Sequence, residues 1–203
     1  MKIITISGLD GSGKSTQIKL MKEYLENKSF KTKYFHSPSF SVANKLLGKK
    51  NSENSNKKPK SVTHAGFLKI FLRKIALFID ICRFKFSYMP KQEKNGTDFI
   101  LADRYFFDQI ANIIFLEKKE LKNNPFWLKI VSKNILSPNK KIYLETSLEK
   151  IFQRSPQIEQ EKTYFTQKEK IYQDLAEKFN LKKINGDANS SKVFSEIILQ
   201  INE

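Results

Sequence analysis

The chain has 203 residues, 39% of them hydrophobic, with one cysteine and a net charge of +16. That length suffices for one domain with a sizeable core, and a single cysteine, Cys82, excludes an internal disulfide and fits a reducing compartment. The longest apolar stretch, Phe67 to Phe86, is broken by Lys69, Arg73, Lys74, Asp80, Arg83 and Lys85, which excludes a membrane span.

The chain opens on Ile3, Ile4 and Ile6, a short β-branched run of the kind a buried parallel strand carries. Gly8-Leu-Asp-Gly-Ser-Gly-Lys-Ser15 follows, a full match to G-x-x-x-x-G-K-[ST]. From Thr16 onward, Ile18, Leu20, Met21, Tyr24 and Leu25 recur at helical spacing. The motif therefore lies between a strand and a helix, where its mechanism needs it. Glycines let backbone N–H groups curl around a polyphosphate, and the helix N-terminus adds a favourable dipole. Lys14 is expected on the β- and γ-phosphates, and the Ser15 hydroxyl on Mg²⁺. A strand and phosphate loop this near the N-terminus leave no room for a secretory leader, so a cytoplasmic location is expected.

Residues 1–98 carry 20 Lys and Arg against 7 Asp and Glu; the remainder carries 17 against 14. A basic half fits nucleic acid or acidic lipid. Lysine supplies 33 of the 37 basic residues in a chain rich in Asn, Ile and Phe. The charge is thus read as a compositional bias, with no nucleic-acid partner expected. That bias makes the four arginines, Arg73, Arg83, Arg104 and Arg154, informative, because arginine is the planar bidentate donor.

Lys31 to His36 alternates as a second strand and ends at Ser37-Pro38. A mobile, solvated loop is expected at about 44–62, where Asn, Lys and Ser dominate. Thr63 to Tyr88 reads as one long helix or a kinked pair, with Lys69, Arg73, Asp80 and Arg83 on one face. So much apolar surface elsewhere predicts a helix packed in the interior, its polar stripe facing a cleft. A substrate-lining helix, an ordinary buried helix with an exposed edge and a membrane-surface helix all remain open.

Asp98 to Asp103 is a third buried strand that ends in a carboxylate, followed by Arg104. An acid at the carboxyl end of a strand beside a phosphate loop can hold the water shell of a metal or the acceptor. The arginine next to it can clamp a phosphate. Phe106–Leu116 and Phe126–Ile135 are helical by period, and Lys140–Glu145 is a fourth strand. Ser147 caps a short helix ending at Arg154. A polar break then precedes a helix from about Thr166 to Phe179, and a lid is expected at about 154–165. A fifth strand at Leu181–Asn185 and a closing helix complete a single domain over 1–203: an α/β three-layer fold with a parallel sheet.

In these motifs the chain resembles the thymidylate kinases, within the nucleoside monophosphate kinases. The resemblance rests on Gly8 to Thr16, on Asp103-Arg-Tyr105 with Ala111 downstream, and on Pro138 before Ile142-Tyr-Leu-Glu145. Arg154 and the Tyr172…Leu175-Ala176 helix extend it. It implies a P-loop kinase fold and ATP-dependent phosphoryl transfer to a nucleoside monophosphate, foremost dTMP. By the same resemblance, Gly8, Asp10, Gly11, Ser12, Gly13, Lys14, Ser15 and Thr16 bind ATP, and Ser15 and Asp103 serve Mg²⁺. Asp10 lies near the acceptor, Arg104 holds its phosphate, Arg83 faces the base and Arg154 begins the lid. Asp103, Tyr105, Asp108 and Asn112 complete the substrate positions, and a homodimer is the family's common assembly. The chain departs from the family at His36-Ser-Pro38-Ser-Phe, where Arg-Glu-Pro-Gly-Gly is usual, and at Asp108, Gln109, Asn112 and Ile113, opposite thymine. Its lid, Ser155–Glu161, carries no arginine. A kinase of another acceptor (a sugar, lipid-linked or modified nucleotide) and a non-catalytic nucleotide- or polyanion-binding protein remain open on the residues alone.

Overall fold

The computed structural model describes residues 1–43, 66–118, 125–154 and 162–202. The loop expected at 44–62 and the centre of the expected lid, 155–161, lie outside the described residues. Five strands are present: β1 (Lys2–Ser7), β2 (Thr32–Phe35), β3 (Phe99–Asp103), β4 (Lys140–Glu145) and β5 (Lys182–Asn185). The described helices are α1 (Lys14–Asn27), α2 (Ser37–Phe40), α3 (Phe67–Arg83), α4 (Met89–Lys94), α5 (Phe106–Glu117), α6 (Phe126–Asn134), α7 (Leu148–Arg154), α8 (Lys162–Lys178) and α9 (Ser190–Asn202). A π-helical stretch, Phe84–Tyr88, joins α3 to α4.

All four strand pairings are parallel, in the order β2-β3-β1-β4-β5. Parallel neighbours need crossovers, and the helices supply them, so both faces of the sheet are covered. On one face Ile4, Ile6, Leu101, Ile142 and Leu144 pack with Ile18 and Met21 of α1 and Val193 and Ile197 of α9. On the other, Ile3, Ile100, Ala102 and Tyr143 meet side chains of α3, α5, α6 and α8. Alternate residues of the central strands β1, β3 and β4 thus feed two separate cores, which makes the three layers. The pairing of Ile6 with Asp103 and of Ser7 with Tyr143 brings the carboxyl ends of β1, β3 and β4 level. Ligand chemistry in such sheets gathers at those ends.

Two helices differ from the sequence expectation. The helix α8 starts at Lys162 rather than near Thr166, because Tyr164 and Phe165 are buried and extend its apolar face. The larger difference is α3. Its expected interior position does not hold: Phe67 (86% exposed), Leu68, Phe71, Leu72, Ile75, Phe78 and Ile79 are all exposed. The buried residues are Ala76, Leu77, Asp80 and Ile81. Asp80 accepts backbone hydrogen bonds from Val42 at 3.1 and 3.2 Å and one from Arg83 at 3.0 Å. Asp80 therefore faces inward and ties down the segment after α2, while Lys69 stays exposed and the apolar row from Phe67 to Ile79 points outward. Helical period identifies an apolar face without saying whether core or partner covers it.

Candidate active site at the ends of the central strands

The phosphate loop leaves β1 through three glycines that need left-handed backbone. Gly8 has φ +151° and Gly13, at the start of α1, φ +97°. A Cβ on Gly8 would stand 2.8 Å from the Leu144 carbonyl oxygen, so strand β4 itself demands glycine there. Lys14 is buried, and its Nζ donates to the Leu9 carbonyl at 2.5 Å and to Ser12 Oγ at 3.3 Å. Burial lowers its pKa, opposed by the charges of Asp108 and Asp103. The ammonium is thus held among neutral oxygens, and an arriving polyphosphate would supply the anion it lacks. Arg154 reaches the same loop from α7: one guanidinium nitrogen lies 3.8 Å from where a Gly13 Cβ would stand, and another donates to Ala188 at 3.3 Å.

The Ser15 hydroxyl donates to Asp103 Oδ2 at 2.6 Å, and Tyr34 Oη to the same oxygen at 3.3 Å. Burial, then the Asp103 charge, pushes the Tyr34 pKa up to about 12. A hydroxyl and a carboxylate in contact beside a phosphate loop are hard oxygen donors of the kind Mg²⁺ takes. Ser15 and Asp103 therefore fit the metal role.

Arg104 lies one residue past β3 at φ +69°, a conformation costing a non-glycine residue on the order of 1 kcal/mol or more. Its backbone N–H donates to Ile6 at 3.1 Å and its guanidinium pairs with Asp10. Together with Leu9, Tyr164, Lys168 and Tyr172 they line a cavity of about 10 Å³, room for one water. A substrate entering here must part Arg104 from Asp10.

The remaining expected site residues divide. Asn112 reaches this side through a hydrogen bond from Lys168. Asp108 is buried instead, accepting from Ser7 Oγ at 2.7 Å, the Tyr105 backbone N–H at 2.9 Å and Tyr172 Oη at 2.8 Å. Tyr105 points into the core, its hydroxyl donating to Leu136 at 2.8 Å. Arg83 stacks 4.5 Å over the Phe40 ring and pairs with Asp80, away from the Asp10–Arg104 cavity. Gln109, opposite thymine by resemblance, donates to Ser37 Oγ at 2.5 Å. Lys168 and Tyr172 were not expected as site residues. Their signal was positional: both fall on the buried face of α8 with Phe165 and Leu175.

The family model for thymidylate kinase matches residues 6–197. The chain belongs to the thymidylate kinase family. A protein of Methanobrevibacter smithii named "Probable thymidylate kinase" is 26% identical over 196 residues, covering 96% of this chain and 91% of its own. "Probable thymidylate kinase 1" of Saccharolobus solfataricus is 26% identical, with 97% and 95% covered. A Methanosphaera stadtmanae relative is 25% identical, with 98% and 96% covered. As a thymidylate kinase family member the chain is an ATP-dependent nucleotide kinase, and its five-stranded parallel sheet is the P-loop kinase fold. Among the described residues no helix is long and apolar enough to cross a membrane.

Asp108 ties three elements of this thymidylate kinase site together, and its loss leaves buried donors without acceptors. Asp108→Ala should destabilise the fold by about 3 kcal/mol or more in urea unfolding. A loss below about 1 kcal/mol would show that the three bonds do not hold the site together.

Proposed function

We propose that this protein transfers the γ-phosphoryl group of ATP to dTMP, giving dTDP and ADP. A phosphate oxygen of the acceptor attacks the γ-phosphorus in line, and the bond from that phosphorus to the β–γ bridging oxygen breaks. An acceptor phosphate has a second pKa near 6, so at neutral pH it is about doubly charged and needs no general base. What the step demands is positioning and neutralisation of charge. Lys14 and the N-terminus of α1 serve the ATP phosphates, and Arg154 approaches them from the edge of the lid. Arg104 takes the acceptor phosphate once it parts from Asp10, which is then free to face the acceptor. Mg²⁺, held by Ser15 and Asp103, supplies further positive charge when bound.

One observation carries this reading. Leu9 and Asp10 are consecutive; the first accepts from Lys14 and the second pairs with Arg104. The donor-side cation and the acceptor-side cation are thereby held on either side of one short loop. Lys14→Ala should lower dTDP formation at least about a thousandfold. The circular dichroism spectrum and melting temperature should persist, since the native fold holds this ammonium at a desolvation cost. Turnover within tenfold of the parent would contradict the assignment.

We infer further that two copies associate through the outward face of α3. A contiguous row of Phe67, Phe71, Ile75 and Phe78 on a helix is larger than isolated surface apolar residues account for. A two-fold pairing buries such a face against its own copy, in keeping with the family's common assembly. The single cysteine and the absence of a spanning helix among the described residues support placing that dimer in the cytoplasm. Light scattering on the eluted protein should return twice 23.7 kDa, and Phe71→Glu should return 23.7 kDa. A monomeric parent protein would contradict the pairing.

A further inference from the structure

Of the lysines among the described residues, only Lys14 and Lys168 are buried. Lys14 is explained by the phosphate loop. Lys168 is 3% exposed and makes no ion pair among the described residues. Its Nζ donates to Asn112 Oδ1 and otherwise faces the rings of Phe115 and Tyr164, at 5.6 and 5.7 Å. An ammonium has three donors, and among the described residues one of them meets an oxygen. Burying a cation so incompletely partnered is costly unless an anion compensates. The side chain lines the cavity that holds Arg104 and Asp10. Its own element contributes Tyr164 and Tyr172, one turn to either side, and Tyr172 is engaged by Asp108.

We propose that Lys168 is a second cation of the acceptor-phosphate site, binding the phosphate of the incoming nucleotide together with Arg104. This rests on the acceptor phosphate sitting at Arg104, as argued above. Two cations line one small cavity in which Asp10 is engaged by Arg104, and Asp108 spends its oxygens on Ser7, Tyr105 and Tyr172. A dianion between them would give each a partner. It would also replace the Asn112 bond or share it, and so report the filled phosphate site to α5.

The free protein gives this site a pH dependence. Burial first, then the Arg104 charge, lowers the Lys168 pKa to about 7, with Asp108 opposing. The charged and titratable groups around it are Asp10 from the phosphate loop, Arg104 from the turn after β3, Asp108 from α5, and Tyr164 and Tyr172 from α8. In an unfolded chain the amine stays charged to about pH 10.4. The folded state therefore holds fewer protons between pH 7 and 10, and this group's burial penalty is present below pH 7 and relieved above it. A bound phosphate dianion reverses the preference and draws a proton onto Lys168.

The test is steady-state kinetics of the full chain with ATP, Mg²⁺ and dTMP, comparing Lys168→Met and Lys168→Gln with the parent. Both variants should melt no lower than the parent, since each removes a buried charge of similar volume. At pH 6.5 each should raise KM for dTMP about tenfold to a hundredfold while KM for ATP stays within twofold. The ratio of variant to parent KM for dTMP should shrink as pH rises to 9, because the parent loses its proton there. An unchanged KM for dTMP, a ratio independent of pH, or a Gln variant matching the parent would each overturn the proposal. A parent protein inactive on dTMP would instead overturn the function on which it rests.

Discussion

The buried carboxylate of Asp108 is the constraint on which the rest of the site depends. It gathers the end of β1 through Ser7, the turn after β3 through the Tyr105 backbone, and the long helix α8 through Tyr172. Each of those attachments places a working residue. Ser7 leads into the phosphate loop, Tyr105 follows Arg104, and Tyr172 sits one turn beyond Lys168. Three donors satisfy a carboxylate that would otherwise be costly to bury. The hub thus fixes the elements that carry Lys14, Arg104 and Lys168, and of these three only Arg104 is in a direct ion pair among the described residues, with Asp10.

The cations of the site rest on internal partners. Lys14 rests on Leu9, Arg104 on Asp10 and Lys168 on Asn112. Each of these three has a local partner that a phosphate can displace, and the cavity lined by Arg104 and Lys168 has room for about one water. Binding therefore exchanges internal contacts for contacts to phosphate, so the net gain on binding is smaller than the sum of new contacts. The left-handed Arg104 fits this picture, since backbone strain persists where surrounding bonds over-determine a functional position.

Much of the fold was legible in the sequence. The apolar runs leading to Ser7 and Asp103, the glycine loop and the helical period after Thr16 are local signals, and the structure keeps all of them. So is Asp103-Arg104, whose meaning comes from its place after an apolar strand. What local pattern could not reveal depends on partners far along the chain. The face of α3 that turns inward is chosen by Asp80 binding Val42, 38 residues away. The sequence position of Asp108 suggested a base contact, whereas its bonds to Ser7 and Tyr172 span 101 and 64 residues. Lys168 was hidden by number, one lysine among 33. Only its spacing with Phe165 and Leu175 on one helical face marked it as buried.

By resemblance Gln109 and Asn112 stand opposite thymine and depart from the family there; Gln109 is held by Ser37 and Asn112 by Lys168, so the choice of nucleotide is the point most open to measurement. The most direct measurement of the central claim is therefore ADP release with ATP and Mg²⁺ across a panel of dTMP, dUMP, dCMP, dAMP and dGMP. The account predicts turnover with dTMP at a kcat/KM at least about tenfold above the cytosine and purine nucleotides, the discrimination that a site bonding the base edge provides. Turnover with none of them, or a preference for a purine nucleotide, would contradict it.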